Sequence, residues 1–235
     1  MNPNTNHDPL LVYCAASVEP ALAAIAAAYG RETGTSVKLE VGPSGVLVEK
    51  FKHARRGDLF VSASQSPYLD RCQQEGTVTK VVPLATLRLV LAVHRQADQS
   101  GITYQDLLAG RRRFAIAHEE AAAGLATLEA LAPLGDWQQF AEAAQVILPT
   151  VTEVAAAVRD GAGIDCGIVW DATARQFGLT IVELPELTAA RSVIAAGVLS
   201  SSKNAAGARA FADYLAAPHQ GGAMFKTLGY SAVAS

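Results

Sequence analysis

Residues Leu10–Gly30 read LLVYCAASVEPALAAIAAAYG, and this stretch decides the fold class. Leu10–Ala15 is a short apolar run, the length of a buried strand. Two small residues and Ser17 follow. From Val18 to Thr33 the apolar positions Leu22, Ile25, Ala26 and Tyr29 recur at helical spacing. A second stretch repeats the plan. Val37–Val41 alternates as a strand, Gly42-Pro43-Ser44 makes the turn, and Val46–Ala54 predicts a helix with Leu47, Phe51 and Ala54 inward. Strands that run straight into helices are the βα halves of a doubly wound, mostly parallel sheet.

The rhythm continues through Leu59–Ser62, a short strand, and Tyr68–Glu75, a helix expected to start with Ser66 as N-cap and Pro67 at its first position. It is then interrupted. Thr86–Val93 predicts a long buried strand. A second α/β unit follows, with strands at Arg113–Ala117, Gln145–Leu148 and Cys166–Val169. Its helices are expected at Thr103–Leu108, Ala123–Ala132, Trp137–Ala143 and Glu153–Asp160. Ile181–Glu183 is strand-like, Ser192–Val198 is another long strand, and Ala205–Ala216 and Gly221–Leu228 are helical. Two α/β units joined by two long strands imply an α/β molecule of two lobes. Each would hold a mixed, mostly parallel sheet, and the chain would cross between them twice. The expected division is 1–84 plus 195–235 for lobe I, with 85–194 inserted as lobe II.

Composition narrows the function. The 235 residues are half hydrophobic and 17% charged, with a net charge of −3. A nucleic-acid partner is not expected, because the one dense basic run, Arg111-Arg112-Arg113, follows a glycine and reads as a solvated turn. No apolar run has the ~18 residues a membrane span needs. The polar leader Met1–Pro9 reads as loose chain without the basic and apolar regions of a signal peptide. Cys14, Cys72 and Cys166 are odd in number and far apart, which fits buried thiols better than a disulfide framework. The five histidines show no metal-ligand spacing, and His118-Glu119-Glu120 is not HExxH.

The serines at the junctions carry the functional signal. In an open α/β sheet, ligands sit beyond the carboxyl ends of the strands. Helix N-termini point there too, with unpaired amides and about half a positive charge. Such a junction suits an anion. Serine is also a preferred N-cap, so either one alone fits capping. Together, Ser17 after Ala15-Ala16 and Ser44 after Gly42-Pro43 share one flanking pattern of small residues, which lets a ligand approach the backbone. The other unit offers two more junctions: Ala121-Ala122-Ala123-Gly124, and Thr150-Val151-Thr152-Glu153-Val154, which also fits a capping box. None of the four contains Lys or Arg. Neutral donors suit a fully ionised oxyanion selected by geometry.

With those residues in view, the chain resembles the periplasmic molybdate- and tungstate-binding proteins of ABC importers. The resemblance rests on CAAS at Cys14–Ser17, GPSG at Gly42–Gly45, GDLFVSAS at Gly57–Ser64 and GIVWDATA at Gly167–Ala174, and spans about Leu10 to Tyr230. It implies a type II periplasmic-binding-protein fold whose lobes close on a tetrahedral oxyanion. It implies no enzymatic activity and no cofactor. The metal would enter only within the oxyanion, held through Ser17 and Ser44. Carried across by position, the ligand-binding residues are Ser17, Ser44, the amides of Ala123 and Val154, and Trp170, which stands where the family usually has a tyrosine. Asp171 is expected to point away and cap the following helix. Ser64 stands where the family commonly has an aspartate. The resemblance further implies a membrane ABC permease as partner, a monomer, and a periplasmic or extracytoplasmic location. Three alternatives stay open: another oxyanion such as sulfate or phosphate, the sensor module of a regulator, and a serine hydrolase built on Ser44.

Overall fold

The computed structural model describes residues 8–96, 101–161 and 163–233. The leader expectation falls mostly on residues 1–7, outside them. The first lobe begins with β1 (Leu10–Ala15), α1 (Glu19–Thr33), β2 (Val37–Gly42), α2 (Ser44–Ala54), β3 (Leu59–Ser62) and α3 (Asp70–Gln74). The long strand β4 (Val78–Val93) leads into α4 (Tyr104–Leu108), β5 (Phe114–Ala117), α5 (Ala122–Leu131), α6 (Trp137–Ala143), β6 (Val146–Leu148), α7 (Val151–Asp160), β7 (Cys166–Trp170), α8 (Asp171–Gln176) and β8 (Thr180–Val182). The second long strand, β9 (Arg191–Leu199), returns to α9 (Ala205–Ala216) and α10 (Gly221–Thr227).

The strands form one sheet in the order β2-β1-β3-β9-β4-β7-β5-β6, with β8 also on β4. Parallel pairing holds β1 to β2 and β3, and β5 to β6 and β7. The contacts of β4 and β9 are antiparallel. The two expected sheets are therefore continuous. The 16 residues of β4 pair with β9 along Val78–Arg88 and with β7 along Leu89–Val93, so one strand belongs to both lobes. A register shift interrupts the β4–β9 ladder between Pro83 and Ala85. Pro83 cannot donate to a ladder, which is the physical reason for an irregularity there.

Hydrophobic burial fixes the helices on this frame. Leu22, Ile25, Ala26 and Tyr29 of α1 are buried with Val12 and Cys14 of β1, as the periodicity predicts. Phe51 and Leu47 of α2 pack with Tyr13 and Phe60. In the second lobe Phe140 is buried between Phe114 and Tyr104, with ring centroids 4.9 and 5.4 Å away. Gly124 is required by packing. A Cβ there would sit 2.1 Å from the His118 carbonyl oxygen and 2.4 Å from that of Ala117, so only glycine lets α5 start so close to the end of β5.

Several local expectations change. Ser66 is extended (φ −95°, ψ 136°) and does not cap a helix. Regular α-helix starts at Asp70, with Leu69 in the cap position. All three cysteines are free and buried, as expected. Burial pushes the Cys166 thiol up to about 12 and Cys14 well above its ordinary value, so neither is a ready nucleophile.

Candidate functional site

The four junctions meet at one place. A cavity of about 20 Å³ is walled by Ala15–Ser17 before α1, Gly42–Ser44 before α2, Ala121–Ala123 at the start of α5, and Thr150-Val151 at the start of α7. Ala63 and Trp170 complete the wall. That volume is about the room one ordered water needs. Two helices come from the first lobe and two from the second, each with ten or more residues. Larger hollows lie elsewhere, including one of about 470 Å³ lined by Arg55, Arg56 and Lys203. None of these larger hollows gathers four helix N-termini, so size does not make them the better candidate.

Neither serine hydroxyl is used for capping. The cap position of α1 is Val18, one residue beyond Ser17, and that of α2 is Pro43, one before Ser44; neither helix has a side-chain cap bond. Ser17 and Ser44 are nonetheless almost fully buried. The Ser17 backbone is fixed from behind: its carbonyl accepts from the Tyr230 hydroxyl at 2.6 Å, and that hydroxyl accepts from Gln176 Nε2 at 3.1 Å. Burial raises the Tyr230 pKa, which keeps this donor protonated.

Ser44 Oγ lies 3.3 Å from Ser62 Oγ. Ser62 donates more closely to the Ser64 carbonyl, at 2.6 Å, and accepts from the Ser64 amide at 3.2 Å. A hydroxyl has one proton to give. In the contact with Ser62 it is Ser44 that accepts, so the Ser44 proton is free for a ligand. Ser64 itself turns outward, its hydroxyl bonded to the Ser66 carbonyl.

In the second lobe Ala123 lines the cavity, at the second position of α5. Val154 sits deeper in α7. It is buried, but its amide donates to the Thr150 carbonyl at 3.2 Å within the helix, and it does not line the cavity. Because α7 begins at Val151, two residues earlier than expected, the amide available at the cavity is that of Val151. Thr150 caps α7 in the expected capping box with Glu153. Trp170 is fully buried in the wall.

Asp171 points away from the cavity, as expected, but does not cap. It is the first residue of α8, with Trp170 in the cap position. Its carboxylate accepts from Arg175 Nη1 at 3.0 Å and the Arg88 amide at 3.2 Å, and faces Arg88 Nε at 3.6 Å. No residue lining the cavity is ionisable. The site is a set of neutral donors and helix dipoles.

Across the mouth the lobes touch. The Gly45 amide donates to the Glu120 carbonyl at 2.9 Å, and the Tyr68 hydroxyl reaches the same oxygen at 3.5 Å. Gly45 adjoins Ser44, and Glu120 adjoins Ala121. Among the described residues there is no group of His, Cys, Asp and Glu placed to hold a bare metal ion, and no helix long and apolar enough to cross a membrane.

Residues 10–231 match the family model for bacterial extracellular solute-binding proteins. The chain belongs to that family. Its members bind solutes and are not enzymes, so the hydrolase reading of Ser44 is set aside. The chain is 27% identical over 232 residues to the molybdate-binding protein ModA of Escherichia coli K12, covering 94% of this chain and 88% of the relative. Among solved structures it matches the Azotobacter vinelandii periplasmic molybdate-binding protein with a TM-score of 0.78 and 23% identity, over 96% and 100% of the two chains. It also matches the periplasmic binding protein AfuA of Actinobacillus pleuropneumoniae, solved with fructose-6-phosphate, with a TM-score of 0.81 and 14% identity, over 97% and 87%. These structures share the two-lobed type II binding-protein fold of this chain. That family member and fold neighbours bind different solutes is why the ligand has to be argued from the site.

Proposed function

We propose that this solute-binding protein takes a fully ionised tetrahedral oxyanion, molybdate or tungstate, into the cavity between its lobes and presents it to a membrane ABC permease. The observation that carries the proposal is the convergence of four helix N-termini, two from each lobe, with two uncapped serine hydroxyls and no ionisable side chain. Ser17 and Ser44 would donate from the first lobe, and the amides of Ala123 and Val151 from the second. Neutral donors suit an anion that keeps its full charge at neutral pH, and a carboxylate would repel it. The relation to the molybdate-binding protein ModA favours molybdate over sulfate and phosphate.

Residues 1–84 with 195–235, and 85–194, would move as the two bodies, hinged where β4 and β9 cross and where the ladder slips at Pro83–Ala85. A periplasmic location and action as a monomer fit this role. Titration calorimetry with molybdate tests the reading. Ser17→Ala and Ser44→Ala should each weaken binding by about 1–3 kcal/mol, the range for hydrogen bonds to charged groups. Parent-like affinity in both variants would place the site elsewhere.

A further inference from the structure

Besides β4 and β9, a third piece of chain touches both lobes. After α10 the backbone turns at Gly229 (φ +90°), and Leu228–Ala232 passes between α8 and the start of α1. On the second-lobe side, Gln176 Nε2 at the end of α8 donates to the Leu228 carbonyl at 3.3 Å and to the Tyr230 hydroxyl at 3.1 Å. Arg175 Nη1 donates to the Gly229 carbonyl at 2.9 Å. On the first-lobe side, the buried Tyr230 hydroxyl donates to the Ser17 carbonyl at 2.6 Å. Between them, Ser231 and Thr86 exchange backbone bonds of 2.8 and 3.2 Å, one residue past the slip in the β4–β9 ladder. Chemistry fixes the order of donors. Tyr230 has one proton and spends it on Ser17, so its oxygen needs a donor, which the amide nitrogen of Gln176 supplies and its oxygen could not. That amide oxygen is buried with no partner among the described residues, so the two Nε2 bonds set the orientation of the group.

We propose that Leu228–Ala232 is a third, non-covalent crossing between the lobes, and that Gln176 of the second lobe acts through Tyr230 to hold Ser17 of the first in position for the ligand. This rests on the oxyanion reading and on the lobe division proposed with it, and adds Gln176 as a positioning residue. The two serines differ in what holds them. Ser44 receives its hydrogen bond from Ser62 of its own lobe. Ser17 has no side-chain bond to the helix it precedes, and its carbonyl is tied through Tyr230 to α8. The peptide of Ser17 cannot rotate without breaking the 2.6 Å bond, and its side chain moves with that peptide. Loss of Gln176 therefore frees Ser17 and leaves Ser44 where it is.

The test is a pair of double-mutant cycles read by titration calorimetry with molybdate. Gln176→Leu alone should weaken binding roughly 2–10-fold, the range for one lost hydrogen bond. In the Ser17→Ala background, where no hydroxyl is left to position, the same substitution should cost little or nothing. In the Ser44→Ala background it should cost its full factor. A residue that served stability alone would weaken binding equally in both backgrounds, so equal losses overturn the inference, as does parent-like affinity in Gln176→Leu. Gln176→Glu carries the same cycles if Gln176→Leu does not fold. A carboxylate only accepts, so it draws the single Tyr230 proton away from Ser17, and the pattern across the two backgrounds should be the same. A parent that binds and is weakened by Ser44→Ala, with no effect at Gln176, defeats this inference alone. A parent that binds none of molybdate, tungstate, sulfate or phosphate defeats the oxyanion reading, and this inference with it.

Discussion

Gly45→Ala separates closing the lobes from folding them. Gly45 is the second residue of α2, and its amide bonds to the Glu120 carbonyl of the other lobe at 2.9 Å. A Cβ at Gly45 would lie 3.0 Å from that oxygen, 3.5 Å from Glu120 Cα and 3.5 Å from Tyr68 Cε1. Ordinary contacts begin near 3.4 Å, so the lobes must part by a few tenths of an ångström. Stretching the hydrogen bond removes part of its net ~0.5–1.5 kcal/mol. Crowding of this kind costs about 1–3 kcal/mol in a fixed core, and less where the neighbour can move. A combined ~1–2 kcal/mol falls on the closed form only. Alanine is the better helix former, which stabilises the first lobe by up to about 1 kcal/mol.

Ligand affinity and stability should therefore move in opposite directions. By population shift, the dissociation constant for molybdate rises roughly 5–30-fold. The melting temperature without ligand stays level or rises. Titration calorimetry gives the first number and scanning calorimetry the second. Unchanged affinity in Gly45→Ala would show that the Gly45–Glu120 contact does not take part in binding. A fall in ligand-free stability would show that it belongs to the fold.

Two further substitutions probe the supports of the site. Tyr230→Phe removes the hydroxyl that links Gln176 to the Ser17 carbonyl. It should cost about 1–2 kcal/mol in denaturant unfolding and a smaller loss of molybdate affinity, whereas equal stability would count against that link. Asp171→Ala removes a buried carboxylate from Arg88 and Arg175, whose side chains are 30% and 45% exposed. The loss should be about 1–3 kcal/mol, discounted from a fully buried pair because both arginines reach water. Molybdate affinity should hold, because the carboxylate faces away. A tenfold gain would mean that it repels the anion.

What the sequence allows follows from which forces are local. Leu59–Ser62, Trp137–Ala143 and Ala205–Ala216 have the bounds their patterns predict, because apolar spacing sets them within one segment. The first eight residues of β4 were missed. Val78–Ala85 contains Pro83 and several half-buried positions, so its strand character comes from pairing with β9 more than a hundred residues away. The same distance effect merges two expected sheets into one. At the site, the serines and Ala123 could be found because small residues flank a serine or glycine where strand gives way to helix. Val154 came from the resemblance by position alone, and whether its amide is unpaired depends on where α7 starts: with Thr150 as cap, the Val154 amide bonds to the Thr150 carbonyl. The contact of Gly45 with Glu120 has no signature in either segment. It exists only once the lobes are packed.

The central claim is tested most directly by a thermal-shift panel on the parent protein, with molybdate, tungstate, chromate, sulfate and phosphate at equal concentration. A ligand at about a thousand times its dissociation constant stabilises by roughly 4 kcal/mol. For a chain of this size that raises the melting temperature by roughly 8–16 °C. The account predicts such shifts for molybdate and tungstate and little or none for phosphate. A flat panel, or a shift with phosphate alone, would contradict it.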